Sequence, residues 1–287
     1  MSDRGVNTGA IAMEGAAQPG PRRDPSRPSL LEFAGNAFNA MLEWFGDLGV
    51  FCWRVAHATF TPPFEGRELF RQLDEIGSKS LPLVMLAGAA TGVVLSMETR
   101  SSLARFGAKS MLPAAVGWAI LQEMGPIITS LVVSGRVGAG IGAELASMKV
   151  TEQIDAIEAT AINPFRLLAS PRIVACILMM PLLTVAADFA GIAMGWLTET
   201  LTQPISFHQF MTIALKGGKF SDFLPPTFKT AVFGLIIGLI SCFQGMRTTG
   251  GAEGVGRSAT QSVVLSSLFV IVADVVLVKI IFVLFPG

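Results

Sequence analysis

The sequence predicts an all-α polytopic membrane protein. About five transmembrane helices follow a pair of amphipathic in-plane helices, and one short cytoplasmic helix lies between spans. Three observations carry that prediction. Hydrophobic residues make up 51% of the chain and charged residues only 15%, where a soluble domain holds about 25% charged. The mean hydropathy is +0.59. The apolar residues also gather in runs near or above the roughly 18-residue length that marks a span.

The same composition excludes whole classes of activity. The 21 basic residues are balanced by 21 acidic ones, so no basic excess exists to neutralise phosphates, and nucleic acid is not an expected partner. Cys52, Cys176 and Cys242 are far apart, and His57 and His208 are isolated. They read as inert buried thiols and solvent-side imidazoles rather than metal ligands. No phosphate-binding Gly-x-x-x-x-Gly-Lys-[Ser/Thr] loop is present. The nearest text, Gly217 to Phe220, lacks the upstream glycine and the hydroxyl after its lysine. Any ATP used by this protein therefore binds another chain.

Residues 1–28 are rich in Gly, Pro, Arg and Ser without an apolar h-region, which predicts a disordered tail rather than a signal peptide. Arg4, Arg22, Arg23 and Arg27 favour a cytoplasmic N-terminus. Residues 29–78 form the amphipathic interfacial region. Leu31, Ala34, Phe38, Met41, Phe45, Leu48, Cys52 and Val55 fall on one stripe, opposite Glu32, Asn36, Glu43, Asp47 and Arg54, as in a helix lying in the interface. Thr61 to Pro63 breaks it, and Phe64 to Gly77 reads as a second amphipathic piece carrying Leu69, Leu73 and Ile76 on its apolar stripe.

Residues 79–287 carry the spans, expected near Ser80–Met97, Ala114–Met148, Ile173–Leu197, Phe228–Met246 and Ser258–Phe285. A cytoplasmic N-terminus places Lys149, Arg166, Arg172, Arg247 and Arg257 inside, as the positive-inside tendency asks. It leaves Arg100, Arg105 and Lys109 in an outer loop, against that tendency. Thr198 to Pro226, with a helical stretch over Phe207–Leu215, reads as a short outer cap.

Ionisable groups inside a bilayer cost roughly 2.5–3.5 kcal/mol each on insertion scales, so each one asks for a partner or a wet cavity. The candidates are Glu123, Arg136, Asp188 and Asp274. Thirteen residues separate Glu123 from Arg136, which puts them on nearly opposite sides of a regular helix at about 100° per residue. They are not expected to meet. Arg136 is expected near mid-span in a clasp with Asp188 or Asp274, and Glu123 is expected to face a cavity. Gly125–Pro126 predicts a kink beside Glu123. Gly138/Gly142 and Gly234/Gly238 predict close helix approach, mostly within the chain.

Thr151 to Ala159 predicts a short polar helix outside the membrane, capped by Thr151, with Glu152 and Asp155 in its first turn. Its apolar stripe is Ile154, Ile157 and Ala161, and Asn163–Pro164 ends it. A helix this short is not stable alone, so it must pack on something.

Leu121 to Pro126, Ser134 to Gly138, Ala143 to Met148, Thr151 to Ala156, Asn163–Pro164 and Ser170 to Arg172 together resemble the MlaE/YrbE family. That family comprises permease subunits of ABC-type lipid transporters. The likeness continues through Ser241–Gly245 and Ala259–Leu268 and covers about Phe64 to the C-terminus. It implies a homodimer in a bacterial inner membrane with its ATP and magnesium held by a separate cytoplasmic MlaF-like ATPase. It also implies an MlaD-like MCE-domain partner outside, and often an MlaB-like STAS-domain protein on the ATPase. Glu158–Ala159 with Pro171 resembles the EAA loop of ABC importers, so the likeness makes Thr151 to Arg166 the coupling helix. Glu152, Ile154, Asp155, Ile157, Glu158, Ala159, Asn163, Pro164 and Arg166 are then its contact candidates. It also implies a phospholipid cavity at the dimer axis, with Met97, Glu98, Leu121, Gln122 and Glu123 as lining candidates. Gln122 stands where relatives can carry arginine. The expected activity is phospholipid transport driven by the partner ATPase. The alternatives are another lipid (a sterol or fatty acid) or proton-coupled secondary transport through Glu123 or Asp188. An intramembrane enzyme lacks a placed nucleophile and base.

Overall fold

The computed structural model describes residues 30–61, 66–215 and 220–284. The tail over 1–28, the Pro62–Pro63 break and the Gly217–Gly218–Lys219 text lie outside the described residues. Five helical runs are long and apolar enough to cross a membrane: Gly66–Arg105, Lys109–Val150, Phe165–Thr200, Leu224–Met246 and Gly251–Ile281. The described residues contain no strand. The chain is all-α and polytopic.

The chain separates into two compact units at Asp47/Leu48, and the boundary falls inside helix α1, Leu30–Phe60. On the first side of it Phe38, Met41, Leu42 and Phe45 are exposed. On the second side Phe51, Val55 and Ala58 are buried, so the predicted stripe becomes a packing face only from its Leu48 end onward.

Helix α2 runs unbroken over Gly66–Arg105. This corrects the expectation of a separate amphipathic piece followed by a short span. Nothing between Gly77 and Leu81 stops a helix here: Gly77 packs against the Met179 side chain, and Pro82 is carried inside the helix. At about 1.5 Å per residue a helix of 40 residues is far longer than a bilayer core. Its first part therefore projects beyond the hydrocarbon, with ion pairs Glu68–Arg71 and Glu75–Lys79. No charge occurs from Ser80 to Met97.

The second span is composite. Helices α3 (Leu112–Ala119), α4 (Gly125–Val133) and α5 (Ala139–Val150) are joined by two π-turns, Ile120–Met124 and Ser134–Gly138. Helix α6 spans Gln153–Ala159, and a third π-turn, Phe165–Ala169, leads into α7, Ser170–Thr200. Helix α8, Phe207–Ala214, is capped by Ser206, whose Oγ accepts the Gln209 N–H at 3.2 Å. It bears out the helical stretch expected there. Helices α9 (Phe220–Met246) and α10 (Gly251–Leu284) complete the chain.

Small residues set the packing around α7. A Cβ on Gly92 of α2 would stand 1.9 Å from the Gly191 carbonyl oxygen, and one on Gly234 of α9 would stand 2.4 Å from that of Cys176. The backbones touch, as lipid-embedded helices require when no hydrophobic drive holds them together. The Gly234/Gly238 pair thus works within the chain, and so does Gly138/Gly142, which meets Ser241, Ser266 and Ser262. At the α8 end, Leu112, Val116, Ile120, Ile192, Phe210 and Ala214 form an apolar cluster. Arg100 bonds Glu199 there at 3.0 Å and also reaches Thr202. One of the basic residues that conflicted with the expected topology is thus spoken for. Helix α10 leaves Val264, Leu268, Ile271, Val272, Val275 and Val276 exposed, an apolar face suited to lipid tails.

Candidate functional site

Three spans converge on one buried cation. Lys229 of α9 is 3% exposed, and its Nζ lies 2.9 Å from Glu123 Oε2 and 3.0 Å from Asp274 Oδ1. The first contact is an aligned hydrogen bond. The second is an ion pair by distance only, because Asp274 Oδ1 has no aligned donor among the described residues. Glu123 arrives on the π-turn Ile120–Met124, Lys229 follows the Pro225–Pro226 pair, and Asp274 comes from α10. One ammonium between two carboxylates leaves a net negative group in an apolar layer. Each member needs the others, since a lone buried charge is costly. The Glu123 side chain is 33% exposed while that of Lys229 is 1% exposed, so Glu123 is the member open to a ligand.

Glu123 was expected to face a cavity; it is part-open and is also paired, with Lys229. The lysine fell, without remark, at the edge of the span expected from Phe228. Its signal was a surplus of intramembrane carboxylates over cations: Glu123, Asp188 and Asp274 against Arg136 alone.

The Arg–Asp clasp is overturned as well. Arg136 Nη1 donates to Ser80 Oγ at 2.7 Å and reaches the Glu75 carbonyl at 3.5 Å. Among the described residues no carboxylate lies within ion-pair distance of it. Its partner Ser80 begins the uncharged stretch of α2, so Arg136 sits at the edge of the apolar layer rather than near mid-span. The expectation rested on depth alone, and the two aspartates lie beside the other π-turn, Asp274 on Lys229 and Asp188 on Gly125. Asp188 packs instead on the turn beside Glu123. A Cβ on Gly125 would stand 1.6 Å from Asp188 Oδ1, and that oxygen has no hydrogen-bond partner among the described residues. Glycine at 125 is what lets the carboxyl fit.

The expected lining residues divide. Leu121 packs against the apolar cluster at the α8 end. Gln122 is half-buried beside it, whereas Met97 and Glu98 are exposed on α2.

The segment at the opposite end is built stiffly. Thr151 does not cap α6. It ends α5, its hydroxyl donating to the Ser147 carbonyl at 2.8 Å. Glu152 takes a left-handed conformation, φ 60°, and α6 starts at Gln153 with Asp155 in its first turn. Asp155 meets Lys149 at 2.6 Å. At the other end Ala161 N–H bonds the Glu158 carbonyl and Ile162 N–H that of Ile157, a Schellman closure whose left-handed position, φ 61°, normally favours glycine. The Asn163 side chain then accepts the Phe165 N–H at 2.9 Å, with Pro164 buried and Arg166 half-buried.

Ile154 is 4% exposed. It anchors α6 to this chain and is not a free contact for a partner, a correction to the expected stripe. Ala161, which was placed on that stripe, forms the cap. The exposed face carries Gln153, Asp155, Ala156, Glu158 and Ala159, while Ile157 is half-buried. Beside it an open cleft of about 630 Å³ lies between Trp53, Arg54 and His57 of α1 and Glu158 with the residues from Ala161 to Phe165. Phe165 closes its floor against Phe51, ring centroids 5.6 Å apart, with Arg54 over its ring at 5.8 Å. Arg172, 2% exposed, bridges to Glu144 at 2.8 Å and ties α7 to α5 behind α6.

Comparison with known proteins fits this construction. The family described as Permease MlaE matches residues 69–280. A probable ABC transporter permease protein of Rickettsia typhi is 33% identical over 83% of this chain and 92% of its own length. One from Synechocystis is 32% identical over 72% of this chain and 79% of its own. The chloroplastic protein TRIGALACTOSYLDIACYLGLYCEROL 1 of Arabidopsis thaliana is 35% identical over 74% of this chain and 60% of its own.

Proposed function

Because the chain belongs to the MlaE permease family, we propose that this ABC transporter permease moves phospholipid between a bacterial inner membrane and a periplasmic MCE-domain carrier. It works as a homodimer with its N-terminus in the cytoplasm. A separate MlaF-like ATPase holds the ATP and magnesium and performs hydrolysis, and an MlaB-like STAS protein accompanies it. The observation that carries the reading is α6: a short helix fixed to its own chain by Ile154 and Asp155, yet presenting Glu158 and Ala159 outward. Such a helix is stable only through what it packs on, and its exposed face is free to receive a nucleotide-driven subunit.

Movement of that subunit shifts α6 and, through α5 and α7, the helices around Glu123. A cavity beside Glu123 takes the lipid, whose polar head competes with Lys229 for the half-open carboxylate. The Arabidopsis relative bears the name of a galactolipid, which supports a glycerolipid substrate over a sterol or fatty acid.

Co-purification from the native membrane tests this. Wild type is expected to carry an ATPase subunit and phospholipid, and Glu158→Arg/Ala159→Arg is expected to lose the ATPase while folding normally. Ile154 is the wrong site for such a test, since it is buried. Wild-type transport that follows a proton gradient with no ATPase present would overturn the reading.

A further inference from the structure

Arg136 lines a second cavity, remote in role from the Glu123 cluster. It measures about 310 Å³ and is bounded by Gln72, Glu75 and Ile76 of α2 and by Arg136, Gly140 and Glu144 of the second span. Both carboxylates on its wall are already paired, Glu75 with Lys79 at 2.8 Å and Glu144 with Arg172 at 2.8 Å. With Lys79 and Arg172 counted, which lie outside the lining, three cations stand against two carboxylates. The surplus belongs to Arg136, of which only Nη1 is engaged among the described residues, on Ser80 and the Glu75 carbonyl. Its remaining guanidinium donors are the planar fork that suits a phosphate.

Depth points the same way. Charged residues occupy α2 up to Lys79, and the uncharged stretch starts at Ser80, the residue Arg136 bonds. The guanidinium therefore stands where hydrocarbon gives way to headgroups, the level of lipid phosphates. The wall is also open on one side: Gly140 is exposed, and a Cβ there would meet nothing within 4 Å.

We propose that this cavity binds a phosphate-bearing anion through Arg136, and that the anion is the phosphodiester of a lipid in the leaflet on the α6 side. This site is separate from the Glu123 cluster and lies nearer the α6 end of the second span. It deepens the phospholipid reading, on which its place in transport rests: a lipid held here waits at the α6 side for the motion of α5.

The test counts phosphatidylglycerol retained per chain by the full-length protein after extraction into mild detergent, read by native mass spectrometry. Wild type is expected to retain it. Arg136→Gln is expected to weaken retention by about tenfold or more, the scale of a lost charged hydrogen bond. Gly140→Leu, which lies one turn from Arg136 on the cavity wall, narrows the cavity and is expected to lose as much. If Arg136→Gln does not fold, Gly140→Leu and Arg136→Lys carry the test. Retention equal to wild type in Gly140→Leu overturns the proposal. Arg136-dependent binding of inorganic phosphate with no retained lipid keeps the anion site but overturns the lipid as its occupant. The same preparations are scored for the ATPase. ATPase present without Arg136-dependent lipid sinks this inference alone, and lipid present without ATPase sinks the transporter reading alone.

Discussion

Glu123 and Arg136 occupy two π-turns of one composite span, and their surroundings differ in kind. Glu123 meets a lysine that is almost wholly buried, which in turn meets Asp274. Arg136 meets a serine and a carbonyl through Nη1, and among the described residues its other donors have no partner. The first turn closes a network joining three helices. The second sits where the apolar layer ends, so water or a headgroup can complete its shell. The difference teaches that a charge deep in lipid is satisfied by the protein, while a charge at the border can be left for a ligand.

Four substitutions break or sharpen that contrast. Lys229→Met strands two carboxylates and is expected to cost about 3–5 kcal/mol, the scale of breaking a buried ion pair, read by thermal unfolding in nanodiscs. The triple variant with Glu123→Gln and Asp274→Asn should recover most of that loss, and no recovery would mean the cluster is not held by charge pairing. Next in size, Gly125→Ala overpacks the Asp188 contact by about 1–3 kcal/mol. Adding Asp188→Ala should relieve it, so additive losses in the double-mutant cycle would count against the contact. By contrast, Arg136→Gln should change stability by only about 1 kcal/mol, one hydrogen bond. A loss as large as that at Lys229 would erase the distinction between the two turns. Smallest is Ala161→Gly, expected to stabilise the α6 closure by about 1 kcal/mol by removing left-handed strain, seen as slower amide exchange over Gln153–Ala159.

Much of this architecture was legible in the sequence. The spans announce themselves because lipid demands long uncharged runs, and α8 because its serine cap and apolar period agree. Glu123, Arg136, Asp188 and Asp274 stand out because charge is rare in such runs. Their partners did not, for two physical reasons. Lys229 follows a proline pair, which made it look like the end of a span when the helix in fact begins earlier. The π-turns have no compositional signature; the expectation that Glu123 and Arg136 do not meet held, but it could not name the partner of either. The direction of Ile154 was hidden for a third reason. An apolar stripe says that a surface is covered, and only the fold says by what.

The bridge between Glu144 and Arg172 has a mechanical consequence. It closes the chain from 144 to 172 into a ring, with α6 as the far side of that ring and the salt bridge as its buckle. A load applied to α6 cannot be absorbed by spreading α5 away from α7, because the buckle holds their ends at a fixed separation. The load travels instead as one displacement of both helices. α7 grips α2 through the Gly92–Gly191 backbone contact, and α5 continues into the Arg136 turn. The ring therefore acts as a stiff yoke, dividing one input between two shafts.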